Sequence, residues 1–172
     1  GLERVYEIGK NFRNEGMDKN HNPEFTMLEF YQAYSNLDDM IIFTESLIRN
    51  IGSKINSTLK FNFNSNIIDF SKKIKKHDFY SILNEKSGEH FQNMGKDDIY
   101  KILIKNKVLI DQKSSRGKLL DKAFSFFVEE HLIQPTFIIN YPIELSPLAK
   151  KSKNDDDLAE RFELFIGGME IA

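Results

Sequence analysis

The sequence predicts an α+β fold. Two observations carry the prediction: strand-like alternation folded into hairpins at both ends, and helical periodicity through the middle. At the amino-terminal end, a strand from Val5 to Glu15 places Glu7, Asn11, Arg13 and Glu15 on one face, with Tyr6, Ile8 and Phe12 on the other. A second strand from Glu24 to Tyr34 groups Phe25, Met27, Glu29 and Tyr31. Then Ser35 or Asn36 caps a helix with Asp38 and Asp39 in its first turn, where the helix dipole favours acids. Its apolar stripe is Leu37, Ile41, Ile48, Ile51 and Ile55. Leu59, Phe61 and Phe63 alternate before an Asn64–Asn66 turn and the run Ile67–Phe70, a second hairpin. Lys72–Lys76 reads as a solvated linker rather than an RNA patch, because no aromatic is interleaved with its lysines.

Three helices follow: one capped by Asp78 and running through Asn84, one over Lys96–Asn106 and one over Gly117–His131. The loop Ser114–Gly117 has backbone amides that could receive an anion, but a plain helix start is favoured. His77, His90 and His131 lack metal-ligand spacing. Pro135–Asn140 has the apolar run of a buried strand, Tyr141-Pro142 and Ser146-Pro147 impose an irregular path, and 150–157 is a charged loop. The last strand puts Arg161, Glu163 and Phe165 on one face and Phe162, Leu164 and Ile166 on the other. Gly167-Gly168 is a strong two-residue hairpin turn. A tight turn pairs Ile166 with Met169 and Phe165 with Glu170, so Glu163 lies diagonal to Glu170 at ~7–8 Å between backbones. Two such carboxylates suit one Mg²⁺, which takes one or two carboxylates plus phosphate and water oxygens. The competing reading is two exposed glutamates, with Arg161 paired to Glu163.

Composition bounds the function. The chain of 172 residues is long enough for one domain with a real core. A net charge of −2 gives no general nucleic-acid signature. The absence of Cys removes disulfides and thiolate zinc sites and suits a reducing cytoplasm. No apolar run approaches ~20 residues, so no membrane span is expected. Only five of the 24 cationic residues are Arg, and one of them, Arg13, sits mid-strand, where a planar fork suits phosphate. Phe25 offers a flat face for a base. Glu29 and Tyr31 present an anion and a hydroxyl side by side, as an ammonium group requires. The bland alternative is an amphipathic hairpin with a solvated charged face.

The order of residues weighs against that alternative. Phe12-Arg13-Asn14-Glu15-Gly16, followed by the run His21 to Tyr31 (HNPEFTMLEFY), resembles motif 2 of the class II aminoacyl-tRNA synthetases, and within them the lysyl-tRNA synthetase family. The segments 134–138 (QPTFI), 142–150 (PIELSPLAK) and 161–168 (RFELFIGG) resemble later core segments of the same family. The resemblance implies an antiparallel sheet with helices on its faces, divided into a motif 2 hairpin (1–34), a mostly helical intervening segment (36–133) and returning core strands (134–172). It implies motifs 1 and 3 and an anticodon-binding domain outside this chain, hence an internal fragment that is inactive alone. The implied reaction is ATP-dependent activation of L-lysine and its transfer to tRNA(Lys) in the cytoplasm, by a homodimeric parent enzyme with no membrane attachment. By motif, Arg13, Glu15, His21 and Phe25 would bind ATP, with Arg13 catalytic. Glu29 and Tyr31 would bind lysine, and Glu163 and Glu170 would hold Mg²⁺. Asn20 departs from the basic residue that many relatives carry before the His, with Lys19 as a possible substitute. Competing readings are a ligase for aspartate or asparagine, which the anionic Glu29 disfavours; a synthetase-like ligase lysylating elongation factor P; and a non-catalytic RNA- or protein-binding module.

Overall fold

A computed structural model of the chain describes residues 1–14, 16–17 and 21–172. Two compact units result, Gly1–Asn36 and Leu37–Ala172. The first is a hairpin of β1 (Arg4–Phe12) and β2 (Glu24–Gln32), joined antiparallel. Its register sets Val5 opposite Tyr31, Glu7 opposite Glu29, Gly9 opposite Met27 and Asn11 opposite Phe25. Beyond the ladder, the Arg13 N–H donates to the Pro23 carbonyl at 2.8 Å. Arg13 therefore keeps strand phase although β1 ends earlier than the alternation suggested. At the other end Tyr34 has φ 59°, a left-handed conformation in which a strand cannot continue.

The second unit holds a sheet in the order β5 (Lys75–Asp78), β6 (Thr136–Pro142), β7 (Leu158–Ile166), β8 (Met169–Glu170). The β6–β7 and β7–β8 pairs are antiparallel, as expected, whereas β5 joins β6 in parallel. The sequence places Lys75 and Lys76 in a solvated linker and Asp78 at a helix cap. The two lysines belong instead to an edge strand, where charge blocks pairing with another chain. A separate hairpin joins β3 (Lys60–Phe63) to β4 (Asn66–Asp69), with Asn64 at φ 52° in its turn.

Helices cover both sheet faces. Ile41 of α1 (Leu37–Ile55) packs with Ile74, Phe137 and Leu164 on one side. On the other, Phe79 and Leu83 of α2 (Phe79–Ser87), Ile99 and Leu103 of α3 (Lys96–Lys105) and Leu120 and Phe124 of α4 (Arg116–Phe127) enclose Ile138, Tyr141 and Phe165. The α1 stripe departs from expectation: Ile41, Thr44 and Gly52 are buried, while Ile51 and Ile55 are exposed. Gly52 takes the inward line because a Cβ there would already touch Leu59 at 3.3 Å. Asp78 precedes α2 but makes no side-chain cap; its carboxylate accepts from Asn140 Nδ2 at 2.5 Å. The third predicted helix ends at Phe127 and continues only as a 3-10 turn over Glu129–His131. The charged stretch 150–157 folds back on β7, with the Glu160 N–H donating to the Lys150 carbonyl at 2.7 Å.

The Gly167-Gly168 turn is tight, with φ of 64° and 78°, and Ile166 pairs with Met169 as the alternation required. Its amides donate to Ile133 and Leu132 carbonyls at 2.9 and 3.0 Å. A Cβ on Gly167 would lie 2.8 Å from the Phe63 ring. Gly167→Ala therefore combines left-handed strain with overpacking and should lower unfolding free energy by about 2–4 kcal/mol. Urea denaturation of the two proteins checks this; an unchanged midpoint would show that Phe63 yields freely.

Candidate active-site surfaces

The hairpin unit presents one continuous polar face. Glu7, Asn11, Phe25, Glu29 and Tyr31 share it by parity, and the Arg13 guanidinium carbon sits 5.3 Å from the Phe25 ring centroid. That separation is within cation–π range. The flat aromatic and the phosphate-binding fork proposed from the sequence are thus adjacent. Glu29 and Tyr31 lie two residues apart and open to solvent, Tyr31 being 65% exposed. Directly across from Glu29 stands Glu7, whose role the sequence reading did not assign. Opposed like charges on paired strands repel, so this place favours a cation between them. His21 is described and exposed. Glu15, together with Asp18, Lys19 and Asn20, lies outside the described residues.

Glu163 and Glu170 belong to the second unit. The observed β7–β8 register sets them diagonally on one face. Glu163 is well enclosed, with 13% of its side chain exposed. One of its oxygens accepts from the Tyr141 hydroxyl at 2.5 Å, and the other pairs with Arg161. Arg161 also donates to Ser146 Oγ at 2.7 Å, its guanidinium carbon 4.9 Å from the Tyr141 ring centroid. The ion pair that the bland reading anticipated is therefore real, and it orients Glu163 without removing it from the face it shares with Glu170. Burial, then the neighbouring Glu163 charge, pushes the Tyr141 phenol far above its usual range, so it stays a donor.

Desolvation first and the Glu163 charge second raise the pKa of Glu170. Asp121 and Glu129 of the α4 segment are raised mainly by burial, and both add to the negative field at Glu170. Negative potential beside two hard oxygen donors fits a divalent cation that takes its remaining ligands from phosphate and water. Among the described residues no group of three or more His, Cys, Asp or Glu is placed to enclose a metal, so the protein's share would be these two carboxylates. Tyr141 and Ser146 escaped the sequence analysis as supports of Glu163 and its Arg161 partner. Tyr141 reaches Glu163 because the β6–β7 register shifts between Ile139 and Tyr141, where Asn140 has φ 56°. A bulge re-aims the following side chain, and no alternation rule shows it.

The remaining loop candidate has structural duties. Ser115 caps α4 by accepting from the Lys118 N–H at 3.2 Å. Arg116 donates to the Met94 and Gln92 carbonyls at 2.9 and 3.1 Å and pairs with Glu144.

Residues 1–172 match the family model described as tRNA synthetases class II (D, K and N), and the chain belongs to that family. Within it, the chain is similar to lysine--tRNA ligases. The Aquifex aeolicus protein of that name is 46% identical over 174 residues, covering 100% of this chain and 29% of the relative. Those of Staphylococcus saprophyticus and Methanoculleus marisnigri are 44% and 42% identical, covering 99% and 100% of this chain and 34% of each relative. The chain thus spans about a third of the length of the curated relatives it matches.

The raised pKa of Glu170 has a defined sign. A carboxyl whose folded pKa exceeds its ordinary 4.5 favours folding below that value and disfavours it as pH rises through the folded pKa. Glu170→Gln should therefore be more stable than the parent near pH 7, the gain vanishing below about pH 4.5. Denaturation midpoints across that range test it; a stability loss at neutral pH would mean the Glu170 charge is compensated in the folded chain.

Proposed function

We propose that this chain supplies part of the adenylate-forming site of a lysine--tRNA ligase. In the first reaction a lysine carboxylate oxygen attacks the α-phosphorus of ATP, forming lysyl-adenylate as pyrophosphate leaves. In the second a hydroxyl of the terminal ribose of tRNA(Lys) attacks the adenylate carbonyl, forming the lysyl ester as the acyl–phosphate bond breaks and AMP leaves. The observation that carries the reading is the hairpin register. One face bears the Arg13 fork, the Phe25 ring and the acidic pair Glu7–Glu29 beside Tyr31. These are the groups needed for a phosphate, a purine and an ammonium.

Arg13 acts through charge and orientation: its fork holds the α-phosphate and the lysine carboxylate in line while negative charge develops between them. Phe25 stacks on adenine, exchanging its contact with Arg13 for one with the base. Glu15 and His21 hold the nucleotide. Glu29 accepts from the lysine ε-ammonium and Tyr31 orients it, so aspartate is repelled and asparagine, a neutral amide, forgoes the ion pair. Glu163, fixed by Tyr141 and Arg161, and Glu170 hold Mg²⁺. The ion supplies charge neutralisation at the phosphates when bound.

The parent protein works as a cytoplasmic homodimer. Among the described residues no helix is long and apolar enough to cross a membrane. The names of the similar proteins favour tRNA over elongation factor P as lysyl acceptor.

Pre-steady-state adenylate formation by the full-length reading frame carrying this chain separates these roles. Arg13→Lys should lower the rate constant about 10²–10³-fold with little change in lysine KM. Glu29→Gln should raise the lysine KM roughly 10–100-fold. A Glu29→Gln enzyme with unchanged lysine KM would remove that residue from the amino-acid pocket.

A further inference from the structure

A groove of about 770 Å³ in the second unit has no part in the chemistry above; neither Glu163 nor Glu170 lines it. Lys60, Lys72, Lys73, Lys75 and Lys86 converge on it from the β3–β4 hairpin, the segment before β5, β5 itself and the end of α2. Two carboxylates, Asp69 and Glu85, face these five lysines, leaving a net charge of +3 with His77 and His131 neutral. Asp69 is engaged by Ser71, whose amide and hydroxyl donate to it at 2.9 and 2.5 Å, and Glu85 pairs with Lys86 at 3.0 Å. Among the described residues Lys60, Lys72, Lys73 and Lys75 have no ion-pair partner.

The groove is built rather than a loose run of lysines. Arg49 of α1 donates to the Phe70 and Lys72 carbonyls, and Glu45 accepts from Arg49 Nε and from the Ile74 N–H at 3.0 and 3.3 Å. Gln134 fixes the opposite wall: it donates to the Ile67 carbonyl at 2.8 Å and accepts from the Asp69 N–H at 3.0 Å. The backbone around Lys72 and Lys73 is thereby anchored by α1, and β4 just before it by Gln134. This arrangement differs from the solvated linker that the sequence suggested.

The geometry points to an RNA phosphodiester backbone as the occupant, and we propose that this groove holds one. Its cations are all lysines, point charges suited to successive phosphates rather than to bidentate recognition of one group. No Phe, Tyr or Trp lines it, so its recognition rests on charge rather than on the large aromatic faces used to read bases. The choice of RNA over an acidic protein rests on the tRNA-ligase reading; the groove's attraction for a polyanion does not.

The test is fluorescence anisotropy of a labelled RNA minihelix titrated with the full chain at several salt concentrations. Lys72→Gln/Lys73→Gln/Lys75→Gln is compared with a control of equal charge, Lys105→Gln/Lys107→Gln/Lys113→Gln. The groove variant should bind at least about tenfold more weakly, with the slope of log K against log salt reduced by about 2–3, and the control should shift less than about twofold. No RNA binding by the parent, equal losses in both variants, or preference for poly-glutamate over RNA would each overturn the proposal. Thermal unfolding confirms that both variants fold. Lysine-dependent adenylate formation, measured in parallel on the full-length reading frame, keeps the two readings apart: it should survive the groove substitutions. Its absence in the parent alongside groove-dependent RNA binding would overturn the ligase reading alone.

Discussion

The Gly167-Gly168 turn is the constraint on which the second unit's chemistry depends. Two consecutive left-handed residues twist in the sense that a two-residue hairpin needs, and only glycine adopts them without cost. The turn sets the β7–β8 register, and the register alone decides whether Glu163 and Glu170 share a face. A slip of one residue would send Glu170 to the opposite side of the sheet, among Phe162, Leu164 and Ile166. The fold guards against that slip twice, through the amide bonds from the turn to Leu132 and Ile133 and through the Phe63 ring against Gly167.

Charge is handled differently in the two units. On the hairpin, Glu7, Glu29 and Tyr31 stand open to water, where an acidic pair costs little until a ligand desolvates it. In the second unit Glu163 is enclosed and held by Tyr141 and Arg161, and the half-buried Glu129 accepts from Ser125 at 2.8 Å. Glu170 is left with an excess of negative field, which shows in its raised pKa. Accumulated negative charge at the edge of an enclosed carboxylate, Glu163, suits a cation.

Much of this was legible in the sequence because period-two alternation survives wherever a strand has one polar and one apolar face. The amino-terminal hairpin, the β3–β4 hairpin and the glycine turn all announced themselves in that way. What stayed hidden follows from interactions that alternation does not encode. Strand β5 is short and lysine-rich, and its pairing partner lies 61 residues on, at Lys75 and Thr136. The α1 stripe was misplaced because Gly52, not an isoleucine, takes the inward line under Leu59 and Phe61. Tyr141 reaches Glu163 only through the bulge at Asn140. The site assignments themselves came from resemblance to a motif; the positions of Glu7 opposite Glu29 and of Tyr141 against Glu163 come from the geometry.

The most direct test of the central claim is amino-acid-dependent ATP–pyrophosphate exchange by the full-length reading frame, run across all the standard amino acids. The account predicts exchange driven by lysine and by no other amino acid, with aspartate and asparagine at background. Exchange driven by aspartate or asparagine, or none at all from a folded protein, would contradict it.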